Sequence, residues 1–195
     1  MKNTKVKYIV KIGLLSALSV VIMLLEFPLV FVAPNFYELD LSESVILMGG
    51  FALGPVAAAI MEFVKNVLNI LINGTTTGFV GELANFATGC CLTVPASIIY
   101  KYRKSLKGAL VGMVVGIASL AVAGGLVNYF VMLPMYSAFM PIEDIISAGA
   151  AITGFIHDKV TFVLFAVVPF NIIKGVLCSV VCLLLYKRLS KILHA

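Results

Sequence analysis

Three polar side chains stand within long apolar segments, where an unpaired polar group is costly. Asn128 lies near the end of one such segment, and Asn171 and Lys174 lie three residues apart in another. Residues at this spacing share one face of a helix, and ionisable groups inside membrane helices usually mark functional sites. An asparagine offers a donor and an acceptor edge, which matches a pyrimidine-like ring. These residues predict a pocket for a planar, uncharged solute, with hydrogen bonds between helices as the alternative.

A second polar group lies in an earlier apolar segment. Glu62 and Lys65 are spaced i, i+3, and Lys65 and Asn69 are spaced i, i+4. Side chains at these spacings meet on one helix face, so we interpret this group as a structural clamp between helices. Lys174 differs, because no carboxylate lies within a helical turn of it. A buried lysine without such a partner favours the ligand-binding interpretation of that segment.

Motifs for catalysis and nucleotide binding are absent from the sequence. It contains no G-x-x-x-x-G-K-[ST], no H-E-x-x-H and no G-x-S-x-G, which excludes a P-loop ATPase, a zincin and an α/β-hydrolase. His157 and His194 have no second histidine at ligand spacing. The four cysteines are interpreted as packing residues; they are Cys90, Cys91, Cys178 and Cys182. We expect no enzyme activity, no metal site and no cofactor.

Composition sets the fold class. Apolar residues make up 62% of the 195 positions and charged residues 12%, whereas a soluble domain is about half apolar and a quarter charged. A membrane-spanning helix needs about 20 mostly apolar residues, so the chain suits six spans with short loops. Continuous apolar runs exclude a transmembrane barrel, which alternates polar and apolar positions. We predict an all-α integral membrane protein with a single domain, residues 1–195.

One apolar run is too long for an ordinary span and contains a strong break. The dipeptide Gly54-Pro55 interrupts residues 45–72, and such a pair marks a turn. A split there gives a short second helix that needs shielding by its neighbours. The predicted spans cover approximately residues 8–27, 45–53, 55–72, 79–100, 108–133 and 162–186, with longer segments at 28–43 and 134–159.

The distribution of the basic residues indicates the orientation of the chain in the membrane. Most of the basic residues form three clusters without acids, namely Lys2, Lys5, Lys7 and Lys11; Lys101, Arg103, Lys104 and Lys107; and Lys187, Arg188 and Lys191. Short basic segments beside apolar helices stay on the cytoplasmic side. The net charge of +5 is therefore assigned to orientation and contact with membrane lipid, and not to nucleic-acid binding. Both termini are predicted to be cytoplasmic, with no cleaved signal peptide.

The first predicted helix carries a small-residue pattern. Gly13 and Ala17 are four residues apart with Ser16 beside them, and small-xxx-small spacing lets another membrane helix approach closely. The same pattern arises by chance in chains rich in Gly and Ala. Since the chain has no energy source of its own, docking of a partner protein becomes the more attractive interpretation.

Four stretches together resemble a known family. They are FPLVFVAPNFYELDLSES (27–44), GPVAAAIMEFVKNVLNILINGTTTGFVGELANF (54–86), NYFVMLPMY (128–136) and PFNIIKG (169–175). They are similar to the riboflavin-specific substrate-binding subunit, the S component, of energy-coupling factor (ECF) vitamin transporters. The likeness covers nearly the whole chain.

This resemblance implies residue roles and partners. Riboflavin would bind near the extracellular face of a bacterial cell membrane, with Asn128, Asn171 and Lys174 as direct contacts. Lining or closing residues would be Asp40, Glu43, Gly81 and Asn85. The first helix, through Gly13, Ser16 and Ala17, would dock on a transmembrane coupling subunit driven by two cytosolic ATPases. Alternatives are a subunit for another vitamin, a stand-alone secondary transporter and a membrane enzyme.

Overall fold

The computed structural model describes residues 2–75 and 77–193, and the side chains of residues 5–75 and 77–185. The elements are α1 (Lys2–Met23), β1 (Phe27–Pro28), β2 (Glu38–Leu39), α2 (Ser42–Leu53), α3 (Pro55–Asn73), α4 (Val80–Tyr102), α5 (Leu106–Tyr136), α6 (Ile142–Ala150) and α7 (Lys159–Leu193). Two of these helices contain one π-helical turn each, Asn128–Met132 in α5 and Val163–Val167 in α7. The molecule is an all-α membrane protein.

Five of the helices that the structure describes are long and apolar enough to span a membrane, namely α1, α3, α4, α5 and α7. The apolar helix α2 has only 12 residues and would extend about 18 Å at 1.5 Å per residue. It packs against α1, α3, α4 and α7, and its residues 42–51 are all buried. The prediction of a short second helix shielded by its neighbours is therefore confirmed.

The break between α2 and α3 lies at the predicted dipeptide. Gly54 has φ +100°, a conformation that glycine adopts without steric cost, and Pro55 is the first residue of α3. Proline suits that position because the amide it lacks has no partner within the helix. A cavity brings this turn beside Tyr8, Lys101 and Lys104, so the turn lies at the end of the bundle that we call the basic end.

The opposite end, which we call the loop end, differs from the prediction in two places. The first helix ends at Met23, not at residue 27, because Phe27 precedes a proline, which disfavours helical backbone, and pairs with Leu39 in the β1–β2 ladder. The longer segment predicted between the last two spans, residues 134–159, contains a helix, α6. Apolar residues at helical spacing drive its formation, and its Ile145 is buried in a cluster with Ile156 and Phe162.

The surface of α1 separates the three small residues of the predicted docking motif. Gly13 and Ala17 are exposed on its outer face, whereas Ser16 is buried against the bundle. An added Cβ at Gly13 would meet no atom within 4 Å. The exposed small-residue face therefore consists of Gly13 and Ala17, while Ser16, the chain neighbour of Ala17, points into the bundle.

Candidate functional site

A cavity of about 200 Å³ opens at the loop end between α4, α5, α7 and the segment before α2. Its lining combines the predicted polar residues with aromatic side chains. The lining residues are Phe36, Tyr37, Glu38, Gly81, Ala84, Asn85, Thr88, Val127, Asn128, Met132, Tyr136, Phe170, Asn171 and Lys174. Five of the seven residues predicted to bind or close over a ligand are thus brought together.

The amide of Asn128 is held in one orientation by two contacts. Its Nδ2 donates to the carbonyl of Gly124 at 2.9 Å, and its Oδ1 accepts a hydrogen bond from the hydroxyl of Tyr37 at 2.5 Å. Burial, with a smaller contribution from Tyr136, raises the pKa of Tyr37, so its hydroxyl keeps its proton and acts as the donor. One N–H of Asn128 remains for another partner.

The amide of Asn171 is fixed in a similar way from the opposite helix. Its Nδ2 donates to the carbonyl of Val167 at 2.9 Å, which again leaves a second N–H. An added Cβ at Gly124 would lie 2.6 Å from this Nδ2, so the glycine on α5 provides the space that Asn171 occupies. Gly124 therefore positions both asparagines, one through its carbonyl and one through its missing side chain.

Both asparagines adjoin π-helical turns. Asn128 begins the turn in α5, and Val167, whose carbonyl holds Asn171, ends the turn in α7. A π-helical turn inserts one extra residue into a helix and occurs often at functional sites. The two irregular turns contact each other, which places Asn128 and Asn171 on neighbouring parts of α5 and α7.

Lys174 has carboxylate partners that no helical spacing could indicate. Its Nζ lies 2.9 Å from Oδ2 of Asp40 and 3.4 Å from Oε1 of Glu43. Lys174, which has no carboxylate near it in the sequence, is therefore ion-paired in the folded protein. Neither carboxylate lines the cavity; both lie behind Lys174, so they act on the cavity through that lysine.

Asp40 is built into the turn that begins α2. Its Oδ1 accepts from the backbone N–H of Ser42 at 2.8 Å, while Oδ2 faces Lys174. Burial by itself raises the pKa of Asp40, but the attraction of Lys174 and Lys65 outweighs it, so the pKa is lowered from its ordinary value. Asp40 is therefore ionised at neutral pH and holds the ammonium group of Lys174.

Glu43 connects this ion pair to the polar group on α3. It lies in the first turn of α2, not in the loop where the sequence placed it, and its Oε1 is 2.9 Å from Nζ of Lys65. Lys65 also lies 2.9 Å from Oε2 of Glu62, which confirms that predicted pair. The predicted contact with Asn69 is wrong, since Asn69 accepts from Asn73 and Lys65 turns toward α2.

Gly81 and Asn85 lie on the α4 wall of the cavity. The backbone N–H of Gly81 donates to Oγ1 of Thr77 at 2.9 Å. Nδ2 of Asn85 donates to Oδ1 of Asn66 at 3.3 Å, which links this wall to α3. Both residues line the same cavity as the asparagines of α5 and α7.

Other candidate groups lie outside this cavity. In the part of the chain that the structure describes, no group of three or more His, Cys, Asp and Glu side chains could hold a metal ion. His157 is exposed at the loop end, and His194 lies outside the described residues. Cys178 and Cys182 are buried in the core, as expected for packing residues, whereas Cys90 and Cys91 are half-buried.

Sequence reasoning missed Tyr37, Gly124 and the contact of Lys65 with Glu43. Tyr37 lies three residues before Asp40 in a segment that carries both acidic and aromatic residues, and this mixture was the available signal. For Gly124, the only available sequence signal was that it belongs to a Gly-Gly pair at 124–125. The link between Lys65 and Glu43 joins residues 22 positions apart on different helices, and no sequence spacing indicates it.

Comparison with known proteins identifies the family. The family model of the ECF transporter substrate-specific component matches residues 7–186. The riboflavin transporter RibU of Staphylococcus aureus is 34% identical over 96% of this chain and 92% of its own length. The riboflavin transporter FmnP of Bacillus subtilis is 31% identical over 95% and 93%, respectively.

A solved structure extends this similarity to the fold. The S component of a bacterial ECF transporter superposes with a TM-score of 0.77 at 34% sequence identity, covering 98% of this chain and 99% of its own. The family match at residues 7–186 covers nearly all of the five long apolar helices and the short helix α2, together with the residues of the cavity. This chain belongs to the family of substrate-specific components of ECF transporters.

Proposed function

We propose that this chain binds riboflavin in the loop-end cavity and delivers it inward as the substrate-specific subunit of an ECF transporter. The observation that carries the proposal is the pair of fixed amides, Asn128 and Asn171, which face one cavity beside the Lys174 ammonium group. Riboflavin contains a flat ring system whose pyrimidine edge alternates donors and acceptors. Two amide groups and one ammonium group are suited to such an edge.

The aromatic residues of the cavity support a flat ligand. Tyr37 packs against Phe36 and Phe170 at ring-centroid distances of 5.1 and 5.6 Å, and Tyr136 contacts Phe36 at 5.8 Å. Such rings offer apolar surface with a preferred stacking geometry. The relatives named riboflavin transporters in Staphylococcus aureus and Bacillus subtilis point to the same ligand.

The size of the cavity implies movement when the ligand enters. Pockets for ligands of this size usually measure roughly 300–1,000 Å³, and this one measures about 200 Å³. The segment with Tyr37 contacts α5 through the hydrogen bond to Asn128 and α7 through aromatic contacts of Tyr37 with Phe162 and Phe170. We infer that this segment moves outward and that the ligand takes over the contact between Tyr37 and Asn128.

Orientation and partners follow from charge and from the family. We infer that the basic end is cytoplasmic, because Lys101, Arg103, Lys104 and Lys107 lie there, and that the cavity opens outside the cell. Riboflavin is then cargo and not a cofactor, and the chain is a binding subunit and not an enzyme. Transport energy comes from two cytosolic ATPases through a transmembrane coupling subunit.

The exposed small residues of α1 fit the coupling subunit. We expect Gly13→Leu to leave riboflavin affinity unchanged, because the added side chain meets no atom of this chain within 4 Å at its Cβ. It should block close helix approach and so reduce co-purification with the coupling subunit at least fivefold. Val114→Leu, at an exposed site on α5, is the control. Undiminished co-purification of the Gly13→Leu chain would refute docking at this face.

Gly124 offers a matched test of the two asparagines. Gly124→Ala places a Cβ 2.6 Å from Nδ2 of Asn171, so the amide must shift, and we expect riboflavin affinity to fall about tenfold, as loss of a buried hydrogen bond implies. Gly125→Ala is the control, since its Cβ would also make a tight contact, at 3.3 Å, but with Cγ1 of Val163 and not with an asparagine. Flavin fluorescence titration compares the two, and equal affinities would show that Gly124 does not position the site.

A further inference from the structure

Lys65 is a fully buried lysine that lies outside the cavity. Its Nζ contacts three groups: Oε1 of Glu43 at 2.9 Å, Oε2 of Glu62 at 2.9 Å and Oγ of Ser42 at 3.3 Å. The contacts with Glu43 and Ser42 are hydrogen bonds, and the contact with Glu62 is an ion pair. One partner, Glu62, belongs to the same helix, but the other two belong to α2.

One carboxylate oxygen of Glu43 lies close to the ammonium groups of two lysines. Its Oε1 is 2.9 Å from Nζ of Lys65 and 3.4 Å from Nζ of Lys174, while its Oε2 accepts from Ser42 at 3.2 Å. The nearer lysine therefore offsets most of the Glu43 charge. Lys174 keeps Asp40 as its closer partner at 2.9 Å and is one of the residues that line the cavity.

The direction of the Lys174 ammonium group depends on the positive charge of Lys65. The buried charge network consists of three carboxylates and two lysines, namely Asp40, Glu43, Glu62, Lys65 and Lys174. Without Lys65, Glu43 would have Lys174 as its counter-ion. In an interior of low dielectric constant the attraction between them is strong, so the ammonium group would turn from the cavity toward α2.

We propose that Lys65 is a positioning residue for ligand binding, which neutralises Glu43 from the far side and thereby keeps the Lys174 ammonium group directed into the cavity. This inference rests on the proposed binding of riboflavin by this chain. The α3 polar group then contributes to ligand affinity. A clamp between helices, in contrast, would affect only the stability of the protein.

The main test variant is a double substitution that preserves the total charge of the network. Lys65→Met alone would leave Glu62 buried without a counter-ion, which is strongly destabilising. Lys65→Met combined with Glu62→Gln removes one charge of each sign and keeps the network at −1. Glu62→Gln alone is the reference, because it retains Lys65 beside Glu43. Lys65→Arg combined with Glu62→Gln tests whether another positive charge at position 65 restores the affinity.

The measurements are the riboflavin dissociation constant and the thermal midpoint of the ligand-free protein in detergent. Lys65→Met with Glu62→Gln should bind at least tenfold more weakly than Glu62→Gln alone, and arginine at position 65 should recover at least half of that loss on a logarithmic scale. A lower thermal midpoint with an unchanged dissociation constant would overturn the inference and leave a structural clamp.

Two further outcomes separate the proposals. If the methionine variant is not recovered in folded form, Lys65→Gln with Glu62→Gln replaces it, and the same tenfold loss is expected; affinity equal to the Glu62→Gln reference overturns the inference. If the unsubstituted chain itself does not bind riboflavin, the proposed function fails. If the unsubstituted chain binds and these variants bind equally well, only the role of Lys65 fails.

Discussion

Lys174→Met should weaken riboflavin binding at least a hundredfold. The substitution removes the only lysine among the described residues that line the cavity. A hundredfold loss corresponds to about 2.8 kcal/mol, which lies within the roughly 1.5–3 kcal/mol of a hydrogen bond to a charged group. The dissociation constant is measured by flavin fluorescence titration of the purified protein.

The same substitution should also lower stability, and a second variant separates the two effects. Lys174→Met leaves Asp40 buried at 3% exposure without its nearer lysine, and breaking a buried pair costs about 3–5 kcal/mol. Lys174→Met with Asp40→Asn should recover the thermal midpoint but not the affinity. Lys159→Met, at the loop end but outside the cavity, is the control. Tight binding by the Lys174→Met protein would remove Lys174 from the site.

Asn171→Ala is expected to weaken riboflavin binding tenfold or more. The alanine cannot present the second N–H of the amide to the ligand, and a buried group left without its partner costs about 1–3 kcal/mol, which spans roughly 5- to 150-fold. Isothermal titration of the detergent-purified chain with riboflavin gives the affinity. Asn73→Ala is the control, because Asn73 is exposed and bonds only to Asn69 among the described side chains.

The alternative account of Asn171 makes an opposite prediction. If its amide served only to bond Val167 across one turn of α7, the alanine variant would bind riboflavin as the unsubstituted chain does, with at most a small loss of thermal stability. Such a result would return Asn171 to a structural role.

Local sequence signals predicted the elements that local chemistry determines. Gly54-Pro55 indicated the break between α2 and α3, since a positive φ and a first-turn proline depend on those two residues alone. The spacing of Asn171 and Lys174 placed both on one face of α7, and both line the cavity. Hydrophobic runs located all five long helices, although α1 is Lys2–Met23 where residues 8–27 were predicted and α7 ends at Leu193 instead of 186, and they did not indicate α6.

Contacts between distant segments were beyond the reach of such signals. Lys174 and Asp40 are 134 positions apart, and their pairing depends on how α2 packs against α7. Tyr37 meets Asn128 across 91 positions, which requires the fold of the loop end. Periodicity describes one helix at a time, so it shows which face a residue occupies but not which residue lies opposite.

The central claim is that the cavity at the loop end binds riboflavin. The most direct test is equilibrium titration of the full chain, purified in detergent and stripped of ligand, with riboflavin and with other vitamins at the same concentrations. The account predicts saturable binding of riboflavin at or below micromolar concentration, one per chain, with the flavin absorbance band retained after gel filtration. Absence of riboflavin binding at micromolar concentration, or tighter binding of another vitamin by the same folded protein, would contradict it.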